Sequence, residues 1–197
     1  MSGFGANVGI AEYTWATKPA TASSGKIICI SDIARGGSLW RGNGTNWLPL
    51  GGHVVLAEGA VASSVTGTTA LTTLESITIL AGIMGSNGQL RITTLWSAGA
   101  KNANVKTAYI KFGTNSLQSF ALTSVLSAQS LAYTRNRGSA ANQINWVNSI
   151  TPFMTTSGVL PTSAIDTSVE KNILLQAQLA DSSDTVTLEA YSVELIR

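Results

Sequence analysis

No stretch of this chain keeps a helical period for more than a turn, whereas short segments alternating apolar with polar residues recur along it, each bounded by Gly, Asn or Ser. That pattern restricts the fold to strands and tight turns. Residues 26–50 compress it most: Ile27, Ile28 and Ile30 favour extended backbone, Gly36-Gly37 interrupts it, and Leu39-Trp40 resumes it. Gly42-Asn43-Gly44 supplies positive-φ positions for a tight hairpin, and Trp47 closes the unit before Pro49. Trp40 and Trp47 flank this turn and are expected to stack across it. So small a unit displays residues or joins parts; it has no room for an active site.

Beyond Gly52 the alternation lengthens. Leu90, Ile92 and Trp96 share one face of a strand over 89–96. Ala108, Ile110 and Phe112 are set against Lys106, Tyr109 and Lys111, Ile144 and Trp146 against Gln143 and Asn145, and Ile173, Leu175 and Leu179 against Gln176 and Gln178. In the last segment Val186, Leu188 and Ala190 hold one phase while Tyr191, Val193 and Leu195 hold the other, which predicts a β-bulge near Ala190-Tyr191 in preference to a strand buried on both faces. Ala81-Gly82-Ile83-Met84-Gly85 has room for one helical turn, its glycines forbidding more. Residues from Pro152 to Thr167 read as a long loop or edge excursion, or as a loop reaching a neighbouring subunit. The expected fold is all-β: a docking arm over 1–24, a small three-stranded module over 25–51, and an antiparallel jelly-roll-like β-sandwich over 52–197.

Charged residues make up 11% of the 197, against about 25% in ordinary soluble domains, so Ser, Thr, Asn and Gly solvate the surface instead. A formal charge of +2 with scattered Lys and Arg argues against a nucleic-acid partner. The single cysteine, Cys29, lies inside the Ile27–Ile30 run and reads as a small buried hydrophobe. Residues 1–11 lack the pattern of an export signal, and no apolar run approaches the roughly 18 residues of a membrane helix. Asn43-Gly44-Thr45 matches a glycosylation acceptor but is read as a turn.

Catalytic chemistry finds few residues to work with. His53 is the only histidine, so a zinc site or a Ser-His-Asp triad would both depend on it. Gly36-Gly37-Ser38-Leu39-Trp40 lacks the closing glycine of a nucleophile elbow, and Gly25-Lys26 lacks the upstream glycine of a phosphate loop. Two carboxylate pairs are close in sequence, Asp166 with Glu170 and Asp181 with Asp184; the second reads as a hairpin loop whose Asp and Ser cap their own backbone. No enzyme, cofactor or metal is expected. Arg135-Asn136-Arg137-Gly138 is the one local cationic cluster, read either as a solvated turn or, with Trp146, as a contact for an anionic glycan.

Tyr13-Thr14-Trp15-Ala16-Thr17-Lys18-Pro19, then Gly25-Lys26-Ile27-Ile28, Gly37-Ser38-Leu39-Trp40, Asn43-Gly44-Thr45 and Trp47, resemble the N-terminal module of bacteriophage tail-fibre and head-fibre proteins. Ile77-Thr78-Ile79, Gly82, Met84-Gly85, Asn87-Gly88, Leu90-Arg91-Ile92, Trp96, Lys106-Thr107 and Phe112-Gly113 are similar to a β-sandwich in the same proteins. This resemblance implies a non-enzymatic structural protein of the virion, assembled in the host cytoplasm. It further implies a homotrimer attached to a capsid or tail protein, a short knob since heptads and repeats are missing. Phe4, Ile10, Tyr13 and Trp15 are the expected anchors of its arm, and a host surface glycan is the alternative partner.

Overall fold

The computed structural model describes residues 9–33, 37–147 and 160–197, and its regular structure is all strand. The chain divides into two compact units, Met1–Val54 and Val55–Arg197.

In the first unit, β1 (Glu12–Tyr13), β2 (Ile27–Ile30), β3 (Ser38–Gly42) and β4 (Trp47–Pro49) form one sheet in that order. The predicted module of three strands is therefore four, because part of the supposed arm, Glu12–Tyr13, pairs in parallel with Cys29–Ile30. A two-residue strand has too few positions to show a period, which is why it escaped notice. The core of the unit is Trp15, Ala22, Ile28, Ile30, Ile33, Trp40 and Trp47, all buried. Trp40 meets Trp15 with ring centroids 5.0 Å apart and planes tilted by 56°. Trp40 lies opposite Pro49, and Trp47 opposite Gly42, so the two indoles expected to face each other are diagonal neighbours on one buried face.

Only Gly44 of the predicted hairpin glycines takes a positive φ, 96°. Gly42 is needed for space instead: a Cβ there would lie 2.2 Å from the Ser23 carbonyl oxygen. Asn43 Oδ1 accepts from the amides of Thr45 and Asn46 at 2.9 and 2.7 Å, the Asx geometry of a turn.

The second unit is a β-sandwich of jelly-roll-like kind. One sheet runs β10 (Asn115–Ala121), β9 (Lys106–Phe112), β14 (Lys171–Leu179), β7 (Thr72–Ile79). The other runs β13 (Thr162–Ser163), β12 (Gln143–Val147), β11 (Ser127–Asn136), β8 (Gln89–Ala98), β15 (Thr185–Ile196), β5 (His53–Gly59), with β6 (Ser63–Thr66) also paired to β15. Trp96 of β8 meets Phe120 of β10 edge to face at 6.2 Å, and the Ser130 hydroxyl of β11 donates to Gln118 Oε1 of β10, so the two sheets face one another. Leu90, Ile92 and Trp96 are buried with Ala108, Ile110, Phe112, Ile173, Leu175 and Leu179, as their alternation predicts.

The bulge predicted in the last strand is present. The β15–β8 register slips between Leu188 and Ala190, leaving Glu189 as the extra residue. That insertion brings Val193 and Leu195 to the same buried side as Val186 and Leu188. Residues 81–87 form turns with no helix, burying Ile83 and Met84.

Two assignments of facing reverse. Lys106, predicted on the polar side of its strand, is fully buried, being in phase with Ala108 and Ile110. Its ammonium donates to Asn102 Oδ1 at 2.6 Å and the Asn104 carbonyl at 3.0 Å, and lies 3.7 Å from Asp184 Oδ2. In β12 the polar residues Gln143 and Asn145 are buried, while Ile144 and Trp146 lie half-exposed. Gln143 explains the inversion: its amide nitrogen donates to Asn136 Oδ1, the Ala140 carbonyl and the Ile165 carbonyl at 2.9, 3.1 and 2.9 Å, and its oxygen accepts from the Ile165 amide at 2.8 Å. A buried amide so fully bonded carries little desolvation penalty. From the Pro152 to Thr167 segment, Leu160 onward is described: Thr162–Ser163 is an edge strand on β12, and Ile165 and Thr167 are buried.

Candidate functional site

The inversion of β12 creates a site-like feature on the second unit. Pairing Tyr133 with Trp146 and Arg135 with Ile144 places four large side chains side by side on the outer face of the larger sheet. The next strand adds Gln89 opposite Arg135 and Arg91 opposite Tyr133. Gln89, Tyr133, Arg135, Ile144, Asn145, Trp146 and Leu160 line a groove of about 380 Å³. That volume lies in the range of small-ligand sites, and its lining is apolar with a few polar groups, as in such sites.

Charge in the groove is one-sided. Arg135 is exposed, and among the described residues no carboxylate lies within ion-pair distance of it. The acidic side chain nearest in register, Glu194, sits one strand further on opposite Arg91 and is bonded to that guanidinium. Arg135 and Trp146, singled out in the sequence, therefore meet in one groove. Arg137 does not line it; it is exposed beyond the end of β11, its amide bonded to the Asn142 carbonyl at 2.9 Å. Asn136 between the two arginines is buried and donates to the Gly85 carbonyl and Thr167 Oγ1 at 2.5 and 2.9 Å, which anchors this corner. Tyr133, Gln89, Ile144 and Leu160 were not singled out, since only the register of three strands brings them together.

The expected arm anchors separate. Phe4 lies outside the described residues. Ile10 is 52% exposed, Tyr13 is half-buried in β1, and Trp15 is a core residue, its indole face covered by the Lys18 ammonium 3.8 Å from the ring centroid. Trp15 is thus unavailable as an anchor, because Trp40 and Lys18 already cover it. Apolar surface appears elsewhere on this unit: Ile27, Leu39 and Leu50 are each at least 40% exposed, and Cys29, opposite Leu39, is partly exposed on the same face.

Three carboxylates of the two pairs bond to nearby side chains and backbone. Asp166 accepts from the hydroxyl and amide of Ser168 at 2.5 and 3.0 Å, and Asp181 from the amide and hydroxyl of Ser183 at 2.9 and 2.8 Å. Asp184 turns inward to Asn102, whose amide donates to Oδ1 at 2.6 Å. Among the described residues no three of His, Cys, Asp and Glu converge. His53 is exposed at the start of β5.

These bonds hold three carboxyls below the usual range: Asp166 through the Ser168 hydroxyl, Asp181 through the Ser183 amide, and Asp184 through the Asn102 amide. A carboxyl whose pKa is lower folded than unfolded stabilises the fold fully above the unfolded value and loses that contribution as pH falls through the folded value. The second unit is therefore expected to hold a level thermal midpoint above about pH 5 and to lose stability progressively below about pH 4. Calorimetry across that range checks it, and Asp181→Asn should flatten part of the acid limb.

No family model and no curated protein matches the chain. Among solved structures, a chain of sacbrood virus of honeybee in its expansion state II aligns with 10% identity over 69% of this chain and 80% of its own, with a TM-score of 0.33. Arcelin-5, a lectin-like defense protein from Phaseolus vulgaris, aligns with 12% identity over 90% and 96%, at 0.33. Lectin II from Ulex europaeus aligns with 7% identity over 89% and 100%, at 0.35. Likenesses this distant add nothing to the all-β architecture read directly from the strands.

Proposed function

We propose that this protein is a non-enzymatic structural component of a bacteriophage particle, a short homotrimeric appendage that docks on a capsid or tail protein and presents its sandwich outward. One observation carries the reading. The residues of the tail-fibre and head-fibre motif, from Tyr13 to Trp47, fall within one unit, where Trp15, Trp40 and Trp47 are its buried core and Gly25, Gly37 and Gly44 its positive-φ turns. A compact module bearing apolar surface at Ile27, Leu39 and Leu50 suits attachment, and a sandwich solvated by hydroxyls and amides suits exposure on a particle.

The test has two parts. Native mass spectrometry should give the mass of three 20.4-kDa chains, and antibody labelling of purified particles should place the protein on the virion. A monomer absent from particles would end this reading. A second reading, a module that binds a host surface glycan, is favoured by the groove alone: a half-exposed indole beside a tyrosine and an arginine on an outer sheet face. The two readings are compatible in one molecule.

A further inference from the structure

We infer that the groove on the larger sheet binds an acidic saccharide, a pyranose carrying a carboxylate, with the sugar ring seated against Trp146 and Tyr133 and the carboxylate held by Arg135. This deepens the glycan reading and rests on it.

Three observations converge. First, Trp146 and Tyr133 are directly opposed across β12 and β11, both half-exposed, and both line the groove. Such rings offer an apolar face together with a polar edge, which suits a ligand whose ring carries C–H groups on its faces and hydroxyls around its rim. Gln89 and the Tyr133 hydroxyl supply donors and acceptors for that rim. A purely apolar ligand would leave these groups without purpose.

Second, the charge is unbalanced. Among the described residues Arg135 is the only charged one lining the groove, no carboxylate lies within ion-pair distance of it, and Glu194 is bound to Arg91. A guanidinium presents its N–H groups as a planar fork that fits a carboxylate, and a charge-assisted bond of that kind is about twice as strong as a neutral one. A neutral sugar would use only part of that capacity. Third, the supporting shell is fixed. Gln143 and Asn136, on the strands that carry Trp146 and Arg135, are buried and bonded to each other and to the Ile165, Ala140 and Gly85 carbonyls. These bonds fix the backbone that carries Trp146 and Arg135, which lowers part of the ordering cost of binding.

The experiment uses the whole protein and measures its binding, at fixed ionic strength, to oligosaccharides of polygalacturonate, to a sialic-acid polymer, to carboxyl-reduced polygalacturonate and to dextran. Binding to at least one acidic probe is expected, at least tenfold tighter than to the carboxyl-reduced polymer. Arg135→Gln should weaken it roughly 10- to 100-fold and leave residual binding equal to that of the reduced polymer. Trp146→Ala should weaken both at least tenfold, while Trp146→Phe, which keeps a ring and guards against a folding defect, should retain part of the affinity. Arg137→Gln, outside the groove, should change binding less than twofold.

Equal binding of acidic and reduced polymers, lost in Trp146→Ala, would overturn the acidic assignment and keep the glycan reading. Equal losses in Arg137→Gln and Arg135→Gln would point to diffuse attraction and overturn the site. Binding to none of the four probes would remove the glycan reading along with it, leaving the structural one to its own test.

Discussion

Replacing Lys106 with methionine lowers the thermal midpoint of the sandwich by roughly 10 °C and leaves that of the N-terminal unit in place. Methionine matches the length of the lysine stem, so the effect isolates the charge. Lys106 is fully buried, and its ammonium is the only cation within ion-pair distance of Asp184 among the described residues. Asp184 is itself buried, and its Oδ2 has no hydrogen-bond partner. Without the ammonium, a buried carboxylate loses its counter-charge, and the Asn102 and Asn104 oxygens lose their donor. Breaking one side of a buried ion pair is far costlier than replacing both sides. Lys106→Met combined with Asp184→Asn should therefore recover much of the lost midpoint, and differential scanning calorimetry reads both. A shift below about 2 °C in the single variant would show that the pair does not hold the 99–105 and 180–185 loops together.

Trp40→Ala should unfold the N-terminal unit at room temperature while the sandwich stays folded. Truncating a buried tryptophan costs about 3–5 kcal/mol. A unit of this length holds on the order of 3–8 kcal/mol in total, so little remains. Trp40 is wholly buried, packs against Trp15, and donates from Nε1 to Ser38 Oγ at 2.7 Å, so its removal opens the centre of a small core. Amide spectra should lose the dispersed signals of residues 9–54 and keep those of the second unit. Trp40→Phe should keep both sets. If Trp40→Ala retained a folded first unit, the idea of an independent core centred on this indole would fail.

Strands β8, β9 and β14 were legible because their apolar residues recur every second position, and the β15 bulge because that phase changes at Ala190-Tyr191. What escaped were polar residues whose burial depends on partners distant in the chain. Lys106 has its counter-charge at Asp184, and Gln143 its partners at Ile165 and Asn136; neither is visible from neighbouring residues. Hydrophobic alternation also misassigned the faces of β12, since Ile144 and Trp146 are the more apolar pair yet face outward. The groove was half legible for the same reason. Arg135 and Trp146 stood out by type, but Tyr133, Gln89 and Ile144 join them only through the register of β8, β11 and β12.

The placement of the last two strands bears on the order in which the chain acquires its shape. β14 lies between β9 and β7 in one sheet, and β15 between β8 and β5 in the other, so both layers of the sandwich are interrupted until residues 171–196 exist. The first unit completes its ladder by Pro49. During synthesis the small module can settle while the larger one still awaits its closing strands, with the edges of β7, β9 and β8 open to mispairing. Early release of a truncated chain would thus yield a finished N-terminal module tethered to an adhesive, unclosed remainder.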